Sequence, residues 1–176
     1  MIVLKAAWGS ALNLAEPFAT AELAIQIVQW EDVFVVIDDG MGRASDYVLA
    51  RRMLAEQGSR YATGMGCLVI IPENAKPPSE PVREAMKATL ALLRLRCLCW
   101  LVEGAGFQAA MVRGVLTGLR LVANRSYETH VSRDLEGALR WILPHLEGGT
   151  KRTEAVSRAA ATIRARRAGR DHGSHG

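Results

Sequence analysis

Two acidic, glycine-containing segments are the parts of this sequence whose residue types could do chemistry. The first runs Asp38-Asp39-Gly40-Met41-Gly42-Arg43 and the second runs Glu103-Gly104-Ala105-Gly106. Each follows an apolar run and precedes a helical pattern, so both are expected at the carboxyl edge of a sheet, where α/β proteins bind ligands. The candidate ligand-binding residues are Asp38, Asp39, Gly40, Gly42, Glu103, Gly104 and Gly106.

The chemistry of these two loops has more than one interpretation. Glycines that open a helix are typical of phosphate-binding turns, but the carboxylates of Asp38 and Asp39 would repel a pyrophosphate. The same carboxylates could bind a divalent cation, which needs further oxygen ligands that the sequence does not identify. The simplest alternative is that the glycines only permit tight turns and close helix packing. We therefore predict no metal and no cofactor.

The cysteines and histidines give no catalytic signature. Cys97 and Cys99 alternate along one apolar run, so they are expected to share one face of a strand, and no four-ligand zinc set is visible. With Cys67 they make an odd number of thiols in apolar runs, which is typical of a reducing compartment and predicts a cytoplasmic protein. His130 and His145 are isolated, and no serine lies in a nucleophile elbow. No catalytic residue is predicted.

The elements that must position the two loops alternate between short apolar strands and amphipathic helices. This alternation predicts an α/β sandwich with a mostly parallel central sheet, covering helices and an N-terminal hairpin. The hairpin is expected at residues 1–7 and 11–14. The later strands are expected near residues 33–37, 67–71, 97–102 and 128–131, and the helices near residues 20–30, 45–56, 81–93, 107–122 and 132–146. Ser45 and Ser132 are expected to cap the helices that they begin.

The helix at residues 107–122 carries the longest apolar stripe in the sequence. Its members fall at the spacings i, i+3, i+4 and i+7 of one helical face: Phe107, Ala110, Met111, Gly114, Val115, Gly118, Leu119 and Val122. Glycine inside a helix costs about 1 kcal/mol relative to alanine. Gly114 and Gly118 therefore predict that this face lies unusually close to the sheet.

The positive charge divides the chain into two regions. Residues 151–176 hold seven Lys and Arg against two acidic residues, a net charge of +5, which leaves −1 on the preceding residues out of the overall +4. We predict a single domain at residues 1–148 and a basic, flexible tail at residues 149–176. One interpretation is that the tail makes weak, salt-sensitive, nonspecific contact with polyanions through Arg164, Arg166, Arg167 and Arg170. The alternative is a solubilising tail without a partner. No apolar run is long enough to span a bilayer, so no membrane contact is predicted.

The predicted order of elements resembles the STAS fold of anti-sigma-factor antagonists and their SpoIIAA-like relatives. The closing segment at residues 130–142, with Glu136, Ala138 and Trp141, is similar to the strand, polar cap and Glu-x-Ala-x-x-Trp-Leu ending of STAS-like proteins. The resemblance covers roughly residues 1–147. It implies a non-enzymatic regulatory domain that binds a regulatory protein partner, and Ser45 matches the position that is phosphorylated in the antagonists. The alternative is a small-molecule or nucleotide-binding protein, or an enzyme, that uses the two acidic loops.

Overall fold

The computed structural model describes residues 25–30, 32–104, 106–122, 127–147 and Ala161. The predicted N-terminal hairpin at residues 1–14 lies outside the described residues. The same holds for the domain boundary at residues 148–149 and, apart from Ala161, for the basic tail with its polyanion contact candidates, Arg164, Arg166, Arg167 and Arg170.

The described chain forms one mixed, mostly parallel sheet with helices on both faces, so the predicted α/β class is confirmed. The strands are β1 (Gln26–Trp30), β2 (Val33–Ile37), β3 (Met65–Ile71), β4 (Leu95–Val102) and β5 (Glu128–Ser132). The helices are α1 (Ala44–Gly58), α2 (Glu80–Leu92), α3 (Phe107–Val122) and α4 (Leu135–Ile142), followed by a 3-10 turn at Leu143–His145. The strands lie in chain order, with β1 antiparallel to β2 and all later pairs parallel.

The sheet separates two apolar layers. Because successive side chains of a strand point to opposite faces, the neighbours Phe34, Cys67 and Leu98 pack in one layer with residues of α1, α2 and α3. The other layer contains β2 to β4 side chains of the opposite face together with Leu139 and Ile142 of α4. Burial on both faces explains why these strands read as continuous apolar runs instead of alternating ones.

The predicted helix at residues 20–30 is wrong at its described end, where Gln26–Trp30 is strand β1. This strand pairs antiparallel with β2 along its whole length and covers the edge of β2 that faces away from β3. Ile25 and Ile27 are both buried in the same layer, a two-residue spacing that fits a strand. Without β1, the backbone N–H and C=O groups along this edge of β2 would lack strand partners. Pairing with β2 therefore outweighs the helical spacing of a few apolar residues in this segment.

The two predicted serine caps are also wrong. Helix α1 already begins at Ala44, and Asp46 accepts the Arg43 backbone N–H at 2.8 Å. Helix α4 is capped by Asp134, whose side chain accepts the Gly137 N–H at 2.6 Å. A carboxylate is favoured at both ends because the helix N-terminus carries partial positive charge.

Helix α3 buries a different face from the predicted one. Its buried side chains are Ala109, Val112 and Leu116, whereas Gly114 and Gly118 are exposed and a Cβ added at either would meet nothing within 4 Å. Of the predicted stripe, Val115 is half-buried, Ala110 and Met111 are exposed, and the side chains of Phe107, Leu119 and Val122 lie outside the described set. The buried face carries the side chains of Val112 and Leu116, whereas Gly114 and Gly118 on the exposed face have no side chain to bury.

Candidate functional site

Both acidic loops lie at the carboxyl edge of the sheet, on either side of the end of β3. The Asp38 N–H donates to the Ile70 carbonyl at 3.0 Å, and the Glu103 N–H donates to the Ile71 carbonyl at 2.9 Å. Because β2, β3 and β4 are parallel, their carboxyl ends meet at one edge, as the order of strands in the sequence implies.

Asp38 is the buried acidic group of this edge. Its carboxylate accepts the Tyr47 hydroxyl at 2.5 Å and the Gly40 backbone N–H at 3.0 Å. Burial raises the pKa of Asp38, the hydrogen bonds from Tyr47 and Gly40 oppose this rise, and the nearby charge of Asp39 adds to it. Burial and the Asp38 carboxylate also raise the pKa of Tyr47 far above its ordinary value. The phenol therefore stays protonated and donates a hydrogen bond to Asp38.

The β2–α1 loop uses its own backbone donors. Three of its N–H groups donate to nearby carboxylates: Gly40 to Asp38 and Met41 to Asp39 within the loop, and Arg43 to Asp46 in the first turn of α1. A phosphate-binding loop needs such N–H groups pointing at the ligand. Here carboxylate oxygens occupy them, and the negative charge that they bring disfavours a second anion. The geometry therefore argues against a nucleotide phosphate at this loop.

The glycines of the two loops permit close approach between neighbouring loops. Gly40 has a positive φ of 74°, and a Cβ there would overlap the Lys76 carbonyl oxygen of the loop before α2. Gly104 has a φ of 86°, and a Cβ there would press on the side chain of Glu73. Gly42 faces the ring of Tyr47, while Gly106 is exposed with open space around it. Gly40, Gly42 and Gly104 therefore agree with the packing interpretation of the glycines, whereas Gly106 does not.

A narrow cleft of about 20 Å³ opens at the same edge of the sheet. Asp38 and Gly40 line it from the β2–α1 loop, and the remaining lining is mostly apolar. It includes Ile71 at the end of β3, Met86 of α2 and Val115 of α3. Sequence reasoning missed the contribution of the two helices. No local pattern signals it, because the separation of α2 and α3 depends on tertiary packing.

Ser45 lies on the exposed face of α1, one turn before two exposed apolar side chains. Val48 is 40% exposed and Leu49 is 42% exposed, and Met41, in the loop that leads into the helix, is 59% exposed. Ser45 and Arg52 are also exposed, at the i, i+3, i+4 and i+7 spacing of one helical face with Val48 and Leu49. We call Met41, Ser45, Val48, Leu49 and Arg52 the α1 surface.

Contrary to the prediction, His130 and His145 are not isolated. The ring of His130 stacks on Trp141 at a centroid distance of 5.1 Å, and the ring of His145 lies 4.7 Å from the same tryptophan. The Nε2 atom of His145 is 3.9 Å from the carboxylate of Glu128. This group joins the edge strand β5 to α4, and the wide separation of its members in the sequence concealed it.

The three cysteines are buried within the sheet. Cys97 and Cys99 share one face, as predicted, and Cys67 points to the other layer. Burial raises the pKa of each thiol to about 12, so the thiols are protonated and poor nucleophiles at neutral pH. Among the described residues, no group of three His, Cys, Asp or Glu side chains is placed to hold a metal ion.

Comparisons of the chain with protein-family models, with curated proteins and with solved structures find no match. None of the helices in the described ranges has both the length and the apolar character needed to cross a bilayer.

Proposed function

We propose that this protein is a non-enzymatic, STAS-like regulatory domain that binds a protein partner through the α1 surface. The observation that carries the proposal is the clustering of exposed apolar side chains around an exposed serine. Single exposed apolar residues are ordinary on protein surfaces, but neighbouring ones rimmed by polar groups mark interaction sites. Met41, Val48 and Leu49 meet this description, with Ser45 and Arg52 as their polar neighbours.

The opposite face of α1 supports this proposal. Tyr47, Ala50 and Leu54 are buried in the core beneath the helix, so the outward direction of the α1 surface is fixed. A helix that presents apolar groups at i and i+3 or i+4 can insert them into a groove of a partner protein. Since the helix is already folded and packed, little ordering entropy is lost on binding.

The order of elements also supports the proposal. An antiparallel strand pair is followed by alternating helices and parallel strands and by a closing helix, an order that supports a STAS-like interpretation. This order places Ser45 in the first turn of the helix that follows β2. A phosphate at Ser45 would be attracted by the positive end of α1, but it would stand beside the carboxylate of Asp46 and charge the apolar patch. Phosphorylation should therefore release an apolar partner.

Site-specific cross-linking in cells of the source organism tests this function. A photoreactive amino acid at Val48 should capture one defined protein, whereas the same group at the exposed Arg140 of α4 should not. The captured protein is then purified, and its affinity for the domain is measured directly. The Leu49→Asp and Ser45→Asp variants should weaken binding at least tenfold, whereas Leu92→Asp, which alters a still more exposed leucine of α2, should leave it unchanged. Equal binding by all three variants would exclude the α1 surface as the interface.

The division of charge supports a second, weaker contact. We infer that the tail binds polyanions through Arg164, Arg166, Arg167 and Arg170, with an affinity that falls steeply with salt. Truncation after Gly149 should abolish retention on heparin at low salt and leave the melting temperature nearly unchanged. A large fall in melting temperature would show that the tail packs on the body of the protein.

A further inference from the structure

We propose that the partner of the α1 surface presents an amphipathic helix whose apolar side chains are flanked by Asp and Glu. The charge of that helix is inferred on the basis of the proposed function, which concerns only the existence of the interface. The observation that carries it is a pair of exposed arginines, Arg43 and Arg52, on either side of the exposed apolar side chains of Val48 and Leu49.

The two arginines lie at opposite ends of the apolar patch. Arg43 directly precedes the first residue of α1 and follows Met41 by two positions. Arg52 lies one helical turn beyond Val48 and Leu49, at the i+4 and i+3 positions that share a helical face with them. Both arginines are exposed. The apolar contact therefore has a positive charge at each end.

Neither arginine has a counter-ion within the described part of the protein. The ion pairs of that part involve other side chains: Lys87 with Glu84, Arg96 with Asp32, Arg140 with Glu136 and His145 with Glu128. Because the charges of Arg43 and Arg52 are not neutralised there, a carboxylate of a partner can pair with each of them. Such complementary charges fix the orientation of a partner and speed its association.

The acidic residues of α1 do not cancel this positive charge. The carboxylate of Asp46 accepts the Arg43 backbone N–H at 2.8 Å in the first turn of the helix, where the positive end of α1 balances its charge. Glu56 is exposed, but it lies a full turn beyond Arg52 and outside the α1 surface. A partner that covers the apolar side chains of this surface therefore meets a positive rim.

The apolar side chains between the arginines favour a protein helix over a nucleic acid. Phosphates could pair with the arginines, but they would leave Met41, Val48 and Leu49 without an apolar contact. A helix with an apolar ridge can pack its side chains between those of α1 and remove both sets from water. Carboxylates beside that ridge would then stand opposite Arg43 and Arg52.

Two synthetic helical peptides of identical composition and zero net charge test the charge of the partner. Both carry the same leucine ridge. In the first peptide, glutamates flank the ridge and lysines lie on the opposite face, and in the second these positions are exchanged. Because composition and net charge are equal, any nonspecific attraction to the basic tail is matched between the two.

Each peptide is titrated into the ¹⁵N-labelled full chain, and binding is followed by NMR at the amide resonances of Val48, Leu49 and Arg52. The peptide with flanking glutamates should bind roughly fivefold more tightly at low salt, as expected for a few exposed ion pairs. Its advantage should largely disappear in about 0.5 M NaCl, where exposed charges are strongly screened.

A matched pair of double variants assigns the preference to the two arginines. Arg43→Gln combined with Arg52→Gln should remove the advantage of the first peptide. Arg60→Gln combined with Arg133→Gln neutralises two exposed arginines outside the α1 surface and should preserve it. Leu49→Asp should weaken the binding of both peptides. The same spectra report whether each variant is folded.

Equal affinities of the two peptides, tighter binding of the second, or no shift at Val48 and Leu49 with either would overturn the acidic helix. A preference that persists without Arg43 and Arg52 would also overturn it. Cross-linking at Val48 tests the interface without reference to charge. A captured protein together with equal peptide affinities would therefore reject only the acidic helix and leave the proposed function intact.

Discussion

Strand β2 has a buried aspartate at each end, and the two are stabilised in different ways. Asp32, before the strand, is 2% exposed; its carboxylate accepts Nη2 of Arg96 at 2.5 Å and the Glu147 N–H at 3.0 Å. Asp38, after the strand, is 7% exposed and accepts from two neutral groups, the Gly40 N–H of its own loop and the Tyr47 hydroxyl of α1. Within the described ranges, the first carboxylate has a cation within contact distance and the second does not.

The sequence separation of the partners differs as well. Asp32 is 64 residues from Arg96 and 115 from Glu147, so it ties the start of β2 to β4 and to the end of the described fold. Tyr47 is 9 residues from Asp38 and Gly40 is 2 residues away. The Asp32 carboxylate is therefore held by partners that are distant in the sequence, and the Asp38 carboxylate is held by local ones.

The largest effect is expected from Asp32→Asn. Removing one partner of a buried ion pair leaves the other charge without compensation and costs about 3 kcal/mol or more. Urea unfolding should show a correspondingly lower free energy of unfolding. The matched control is Glu136→Gln, which breaks the exposed pair between Glu136 and Arg140 and should cause no measurable change. If both variants were equally stable, the ion pair of Asp32 would contribute no more than an exposed pair, and the two ends of β2 would not differ in this respect.

A smaller loss is expected from Gly40→Ala at the carboxyl edge. Gly40 has a positive φ, and an added Cβ would overlap the backbone of Lys76, so the substitution should cost about 1–3 kcal/mol. Gly106→Ala, where the added Cβ meets open space, serves as the control for the other loop. Thermal unfolding of both variants checks the prediction. An unchanged melting temperature in Gly40→Ala would mean that the loop of Gly40 is not in close contact with the loop of Lys76.

The pH dependence of stability should distinguish Asp38 from a neutral side chain. Its folded pKa lies above the unfolded value, so the folded state holds the proton more tightly and the wild type loses stability as the pH rises from the unfolded pKa through the folded one. Asp38→Asn lacks this loss. The variant should therefore gain stability relative to the wild type over that range, as measured by urea unfolding at several pH values. A constant difference between the two proteins would contradict a raised pKa.

The smallest expected effect is a gain in stability, at a position in α3 that is away from both ends of β2. Gly114→Ala, on the exposed face of α3, should stabilise the protein by about 0.5–1 kcal/mol, because an alanine there meets nothing and restricts the unfolded chain. Unfolding experiments on this variant and on Gly118→Ala measure the gain. A loss of stability in these variants would instead support the close packing of this helix face that the sequence pattern predicts.

The sequence by itself determined the elements that are buried on both sides. The runs at Val33–Ile37, Met65–Ile71 and residues 97–102 are apolar throughout, as a strand covered on two faces requires. Their alternation with helices also placed Asp38 and Glu103 at one edge, because parallel strands joined by helices end together. These conclusions depend on local composition and on chain order alone.

Only the tertiary structure decided which elements and faces find partners. β1 is a strand because β2 offers it an edge, and α3 buries the face of Val112 and Leu116 instead of the face that carries Gly114 and Gly118. The cleft depends on the gap between two helices, and the stacking of His130 on Trp141 depends on where α4 crosses the sheet. Each of these features depends on contacts between residues that are distant in the sequence. A local sequence pattern therefore does not predict them.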